Sequence, residues 1–135
     1  MPVAASEYFY MKAKKKLLSL ELEEGEDVFL SVKAAMKQYN IKECSVTTMD
    51  GPIKKGMMNT LNGSKYSAVK LDNTMILNAS GNFKLSFDEL FGGLHVLAKV
   101  SKPISGTFAS GTAGNGLKIG LTFFEQIPTE PKPKM

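Results

Sequence analysis

The sequence predicts an α+β domain: one main helix packed on a mostly antiparallel, strongly twisted β-sheet. Three observations carry this. A period-two apolar segment lies near the start, a single stretch of helical spacing follows it, and the rest alternates in short runs divided by turn residues. In Lys16-Leu17-Leu18-Ser19-Leu20-Glu21-Leu22-Glu23, the residues Leu18, Leu20 and Leu22 face one way and Ser19, Glu21 and Glu23 the other, as in a half-buried strand. Gly25-Glu26-Asp27 breaks it, and Asp27 is suited to cap a helix. From Val28 to Tyr39 the apolar positions Val28, Val32, Ala35, Met36 and Tyr39 follow helical spacing, with Lys33, Lys37 and Gln38 toward water and Asn40 placed to close the helix.

The pattern then returns to strands. Ile41 to Met49 carries an alternating Cys44-Val46-Thr48 face and is expected to stop at the turn signal Asp50-Gly51-Pro52. Lys54 to Leu61 and Lys65 to Leu71 flank Asn62-Gly63, a strong hairpin signature because both residues tolerate positive φ. Asp72-Asn73 is expected to turn the chain into Thr74 to Ala79, and Ser86-Phe87-Asp88-Glu89 reads as a capping box opening a short helical turn. Leu94 to Val100, ended by Pro103, Phe108 to Ala113 and Leu117 to Glu125 complete the strands. The expected division is an N-terminal extension over 1–14, one domain over 15–126 and a Pro- and Lys-rich tail over 127–135 that frays.

Composition narrows function more than it names one. With 135 residues, 43% of them hydrophobic and 22% charged, the chain has the profile of a globular domain able to bury a core. No run of 18 apolar residues suggests a membrane span. The start of the chain has neither a basic nor an apolar leader region, and Cys44 is the sole cysteine, so a reducing cytoplasm is the expected location. The net charge of +4 rests on 17 lysines and no arginine. Lysine neutralises phosphate, but bidentate reading of guanine is mostly the work of arginine, which argues against a dedicated sequence-specific DNA reader. Lys12, Lys14, Lys15 and Lys16 are the candidate nucleic-acid contacts, and a run of acids from Glu21 to Asp27 follows them. A simply solvated basic-then-acidic surface accounts for the same pattern.

The chemical inventory is sparse. His95 is the sole histidine, and only it and Cys44 resemble soft metal ligands, on separate strands. A zinc site within one subunit is therefore not expected. The plainest role for His95 is a partly buried strand residue bonded to backbone or a carboxylate; three copies around a threefold axis are a further option. The serines and Cys44 share one possible base, and no Gly-x-Ser-x-Gly elbow is present. Gly111-Thr112-Ala113-Gly114-Asn115-Gly116 leads into a strand, so it lacks the helix N-terminus that cradles a phosphate and reads as a flexible hairpin loop. Asp88 and Glu89 are assigned to a turn, and the methionines, Met57-Met58 and Met75 among them, to core filling.

Several stretches, in order, resemble one known family. Leu20-x-Leu22-x-x-Gly25-Glu26-Asp27-Val28 leads through the helix to Ile41; then come Ile76-Leu77-Asn78-Ala79-Ser80-Gly81-Asn82-Phe83, Leu94-His95-Val96-Leu97-Ala98 and Gly106-Thr107-Phe108-Ala109-Ser110-Gly111-Thr112-Ala113. Over roughly Lys15 to Gln126 the chain looks like the PPC domain, named for plants and prokaryotes. That resemblance implies a homotrimer of one-helix α+β subunits. In plants such domains accompany AT-hooks in DNA-associated regulators; the stand-alone prokaryotic members are often labelled DNA-binding, and acetolactate decarboxylase, which depends on a metal, has a similar fold. Many prokaryotic members place His-x-His in the strand and Gly-His-Leu later as metal ligands. Here the corresponding segments read His95-Val96-Leu97 and Gly106-Thr107-Phe108, and Met75 stands where the family tends to place a glutamate. Leucine has no lone pair to give and a neutral threonine hydroxyl is a poor zinc ligand. The expectation is thus a non-enzymatic trimeric binding module without cofactor, whose metal site is degenerate, with DNA, another protein or its own copies as partners. Around His95, the residues Leu97, Thr107 and Asn82 are the candidates to line a pocket between subunits, and a small-molecule or metal-assisted function there is the alternative.

Overall fold

A computed structural model describes residues 11–62 and 64–128. The first ten residues, the tail beyond Pro128 and Gly63 of the expected Asn62-Gly63 turn lie outside the described residues. The chain runs β1 (Met11–Leu22), α1 (Val28–Gln38), β2 (Glu43–Asn62), β3 (Lys65–Ser86), β4 (Glu89–Lys99), β5 (Pro103–Ala113) and β6 (Leu117–Pro128). One helix and a single antiparallel sheet agree with the α+β reading.

All six strands share one sheet in the order β1-β6-β2-β3-β4-β5, and β5 pairs again with β2, so four of them close into a ring. That closure depends on the length of β2. Its first half, Ser45 to Asp50, pairs with β6; its second half, Ile53 to Asn59, pairs with β5. Core side chains from every strand meet inside: Leu22 of β1, Val46, Met49, Ile53 and Met58 of β2, Leu71, Ile76 and Phe83 of β3, Leu94 and Val96 of β4, Phe108 of β5, and Leu117, Ile119 and Leu121 of β6. The helix adds Val28, Val32 and Met36. Phe29 stands edge-to-face on Phe83 and Phe108, with centroids 5.8 and 5.5 Å away. These rings fasten the helix to two strands at once.

The helix ends follow local chemistry. The Asp27 side chain accepts a hydrogen bond from the Leu30 N–H at 3.0 Å, a cap worth about 1 kcal/mol. At the other end Asn40 takes φ +56, its N–H reaches the Lys37 carbonyl, and the Ile41 N–H reaches that of Met36. This is a Schellman closure, with buried Ile41 and Met36 as its apolar contact. Lys37, in the last turn, also pairs with Asp88. Hydrogen-bonded Lys37, with Lys33 nearby, holds the Asp88 carboxyl below its ordinary range. A depressed carboxylate stabilises the fold above its unfolded pKa, and that contribution is lost as pH falls through the folded value. Asp88→Asn is therefore expected to lower the melting temperature slightly at neutral pH and leave it unchanged at acid pH, which flattens the acid limb of the profile.

Several expectations for the strands are corrected. Asp50-Gly51-Pro52 does not end a strand: β2 runs straight through it. Gly51, at φ +126, lies where a Cβ would come 2.7 Å from the Leu117 Cα, and Pro52 sits at the handover from β6 to β5. A residue without an N–H is tolerated at such a gap in the ladder. A register shift near Thr47 likewise moves the inward pattern from Val46 to Met49, so Thr48 is exposed instead of facing inward with Cys44 and Val46. Asp72-Asn73 bends β3 without ending it, with Asn73 at φ +46. Ser86 to Glu89 forms no helical turn: Ser86 pairs with Glu89, and Phe87 and Asp88 between them have φ of +50 and +65, the signature of a two-residue I′ hairpin. Pro103 opens β5 as its first residue, opposite Lys99. The glycine-rich segment also divides: Gly111 to Ala113 finish β5, and only Gly114 to Gly116 make the connection to β6.

Candidate functional site

In β4, Leu94, Val96 and Ala98 point into the core, which turns His95 and Leu97 to the outer face of the sheet. The expectation of a partly buried His95 bonded to backbone or carboxylate is corrected: its ring is exposed, and its side-chain partner is the Thr107 hydroxyl, 3.5 Å from Nδ1. At that separation the bond is weak. Register explains the pairing. His95 lies opposite Ser80 on β3 and Thr107 on β5, and Thr107 lies opposite Asn59 on β2, so one row crosses four strands as Ser80, His95, Thr107, Asn59. One step along, Leu97 is half-buried between Asn78 and Ser105.

Asn82 lies on the same face but in the next row. It is opposite Gly93, and its Oδ1 accepts a 2.7 Å hydrogen bond from the Ser45 hydroxyl. Beyond Ser45 come Thr122, whose hydroxyl is 3.2 Å from that of Thr47, and Leu17 at the edge. The fold thus gathers His95, Leu97, Thr107 and Asn82 on one surface, together with the hydroxyls and amides of Ser45, Ser80 and Asn59. Sequence reading missed these last three because cross-strand pairing is set by register, which no local pattern records. Met75, assigned to core filling, is nearly half exposed on this face, whereas Met58 is fully buried.

Lys12, Lys14, Lys15 and Lys16 lie elsewhere, on β1, with β6, β2 and β3 between them and β4. Lys12 is opposite Ile127, Lys14 opposite Glu125 and Lys15 opposite Phe124. Lys14 and Lys15 are exposed; Lys16 is half-buried, with Nζ 3.6 Å from Glu125 Oε1. An exposed ion pair of this kind contributes little stability. An opening of about 1030 Å3 lies apart from His95: Tyr39, Lys42, Ser45, Asn82, Phe91 and Phe124 are among its walls. Cys44 lies beneath it, and burial pushes its thiol up to about 11, too high for a ready nucleophile at neutral pH.

The model of the Plants and Prokaryotes Conserved (PCC) domain matches residues 11–123. The chain belongs to the PCC domain family. The chain is similar in fold to a metal-containing protein from Archaeoglobus fulgidus, with TM-score 0.68, 17% identity, and 95% of this chain and 89% of that one covered. A plant- and prokaryote-conserved (PPC) protein from Pyrococcus horikoshii superposes with TM-score 0.66 at 16% identity, over 87% of this chain and 82% of that one. A Bacteroides thetaiotaomicron protein described as a "putative dna binding protein" gives 0.61 at 17% identity, over 91% and 86%. At these identities the likeness concerns the fold. No curated protein sequence matches the chain.

A metal is implied by the family resemblance, but the PCC residues of this chain do not fit one within a single subunit. Among the described residues no group of three or more His, Cys, Asp or Glu side chains comes together. Around His95 the register supplies a threonine, a serine, an asparagine and a leucine, neutral and hard or without lone pairs. No helix of the described residues is long and apolar enough to cross a membrane.

Proposed function

We propose that this PCC protein is a non-enzymatic, cytoplasmic binding module, assembled as a homotrimer, that makes DNA-associated or regulatory contacts and retains His95 from a degenerate metal site. The observation that carries the reading is the company of His95: one exposed imidazole beside Thr107, Ser80 and Leu97, with no second ligand of comparable strength. Three neutral neighbours neither hold a divalent cation nor lower the pKa of a bound water. The lysines of β1 supply a phosphate-neutralising strip without the planar fork needed for base reading. Proteins of similar fold described as "putative DNA-binding" support the same reading.

Three measurements test it. Elemental analysis of the purified protein is expected to find no stoichiometric transition metal; a tightly held ion on His95 overturns the degenerate-site reading. Duplex DNA is expected to bind weakly, without sequence preference, with log affinity falling by roughly 0.9 per phosphate contacted for each unit of log salt. No binding at low salt removes DNA and leaves a protein partner. His95→Ala is expected to leave the trimer intact, since the ring buries nothing in its own subunit; a monomer on gel filtration contradicts this. The exposed grouping of His95, Thr107 and Asn82 around half-buried Leu97 favours one second reading, a small-molecule pocket closed by a neighbouring subunit. A ligand that shifts the His95 imidazole resonance would favour it.

A further inference from the structure

Among the described residues one strand of the sheet has an open side. Among the described residues β1 pairs with β6 alone, over its whole length from Met11 to Leu22, while β2 to β5 close on one another. An open strand offers unpaired N–H and C=O groups to another chain, and natural sheets guard such edges, often with lysine. Here the guard is uneven. The first half of β1 carries Lys12, Lys14, Lys15 and Lys16, and the second half carries Glu21. An edge guarded by one sign along its length repels a copy of itself in every orientation. An edge basic at one end and acidic at the other attracts a copy laid antiparallel.

We propose that β1 pairs antiparallel with β1 of a second copy, joining two subunits into one continuous sheet across a two-fold axis. Such an axis keeps each residue on its own face, so odd positions meet odd positions. A pairing centred on Leu18 sets Leu18 against Leu18, Leu17 against Ser19 and Lys15 against Glu21, each of the last two twice. Lys15, Leu17, Ser19 and Glu21 all lie on the outer face, where opposite charges directly across a ladder stabilise the pair. Neither Lys15 nor Glu21 is in an ion pair among the described residues. Leu17, 70% exposed in one subunit, lies beside the axis and loses much of that exposure on pairing. Lys14, on the other face, is left for phosphate, so the inference goes beyond the DNA reading without consuming it.

The test is the mass of the full chain by light scattering or sedimentation, across concentration. An even number of chains is expected: six if the threefold assembly proposed above also forms, two if it does not. One or three chains overturns the pairing, and three leaves the threefold reading standing alone. Lys15→Glu and Glu21→Lys are each expected to halve the mass, and the combined K15E/E21K chain to restore it. Both side chains are exposed, so circular dichroism should match the unaltered protein and show that the fold is kept. A mass unmoved by either reversal, or a double variant that stays at half mass, overturns the assignment.

Discussion

Gly92→Ala is expected to destabilise the protein by about 3 kcal/mol, from a backbone penalty and an overlap of similar size. Gly92 has φ +133, which side chains with a Cβ rarely adopt, and an added methyl would fall 2.0 Å from the Asn82 carbonyl oxygen and 3.0 Å from the Phe83 Cα. Both atoms belong to the backbone of β3, so neither can rotate aside. The neighbouring position makes the control: a Cβ on Gly93 meets nothing within 4 Å, and its φ is not positive. Gly93→Ala should shift stability by less than about 0.5 kcal/mol, or raise it slightly by restricting the unfolded chain. Thermal unfolding of the two variants would show a drop of roughly 10 °C for the first and little for the second. Equal melting temperatures would mean that β3 and β4 do not approach as described.

Phe108→Ala is expected to cost about 3–5 kcal/mol, the usual loss for a buried phenylalanine. Phe108 is fully enclosed, and its ring lies so close over Gly111 that a Cβ there would be 2.6 Å from Cζ. Removing it empties the joint between helix and sheet and frees Phe29, which would keep only Phe83 as an aromatic partner. The pair adds a coupling term: Phe29→Ala and Phe108→Ala together should cost about 1 kcal/mol less than their separate effects summed. Urea denaturation of the four proteins measures this. Strict additivity would show that the two rings do not act together.

The helix was legible because its signals are local. Asp27, the apolar spacing from Val28 and the positive φ of Asn40 are decided within a few residues. The strands were legible as strands, but their lengths were not. Asp50-Gly51-Pro52 and Asp72-Asn73 carry the residues that reverse a chain, and the same residues also bend a strand that goes on around a closed ring. Which outcome follows depends on whether partners wait on the far side, and those lie elsewhere in the chain. Ser86 to Glu89 misled for another reason: two positive φ values at Phe87 and Asp88 are rare for such residues, and propensity favours helix over an I′ turn there. The site divided along the same line. His95 stood out as the one imidazole, and the likeness of its surroundings to the PPC pattern brought Leu97, Thr107 and Asn82 with it. Ser80, Asn59 and Ser45 became visible only through register.

Because β2 is shared by β3, β5 and β6, its hydrogen bonds complete late in synthesis. Val46 waits for Leu121, and Ile53 waits for Ala113, partners some 60–75 residues downstream. On a ribosome the first half of β2 stays half-partnered until the last strand emerges, and loop closure over such spans slows folding toward milliseconds or seconds. The newborn chain therefore passes through a stage in which Cys44, Val46 and Met49 face water, and its exposure to chaperones and proteases is concentrated in that interval.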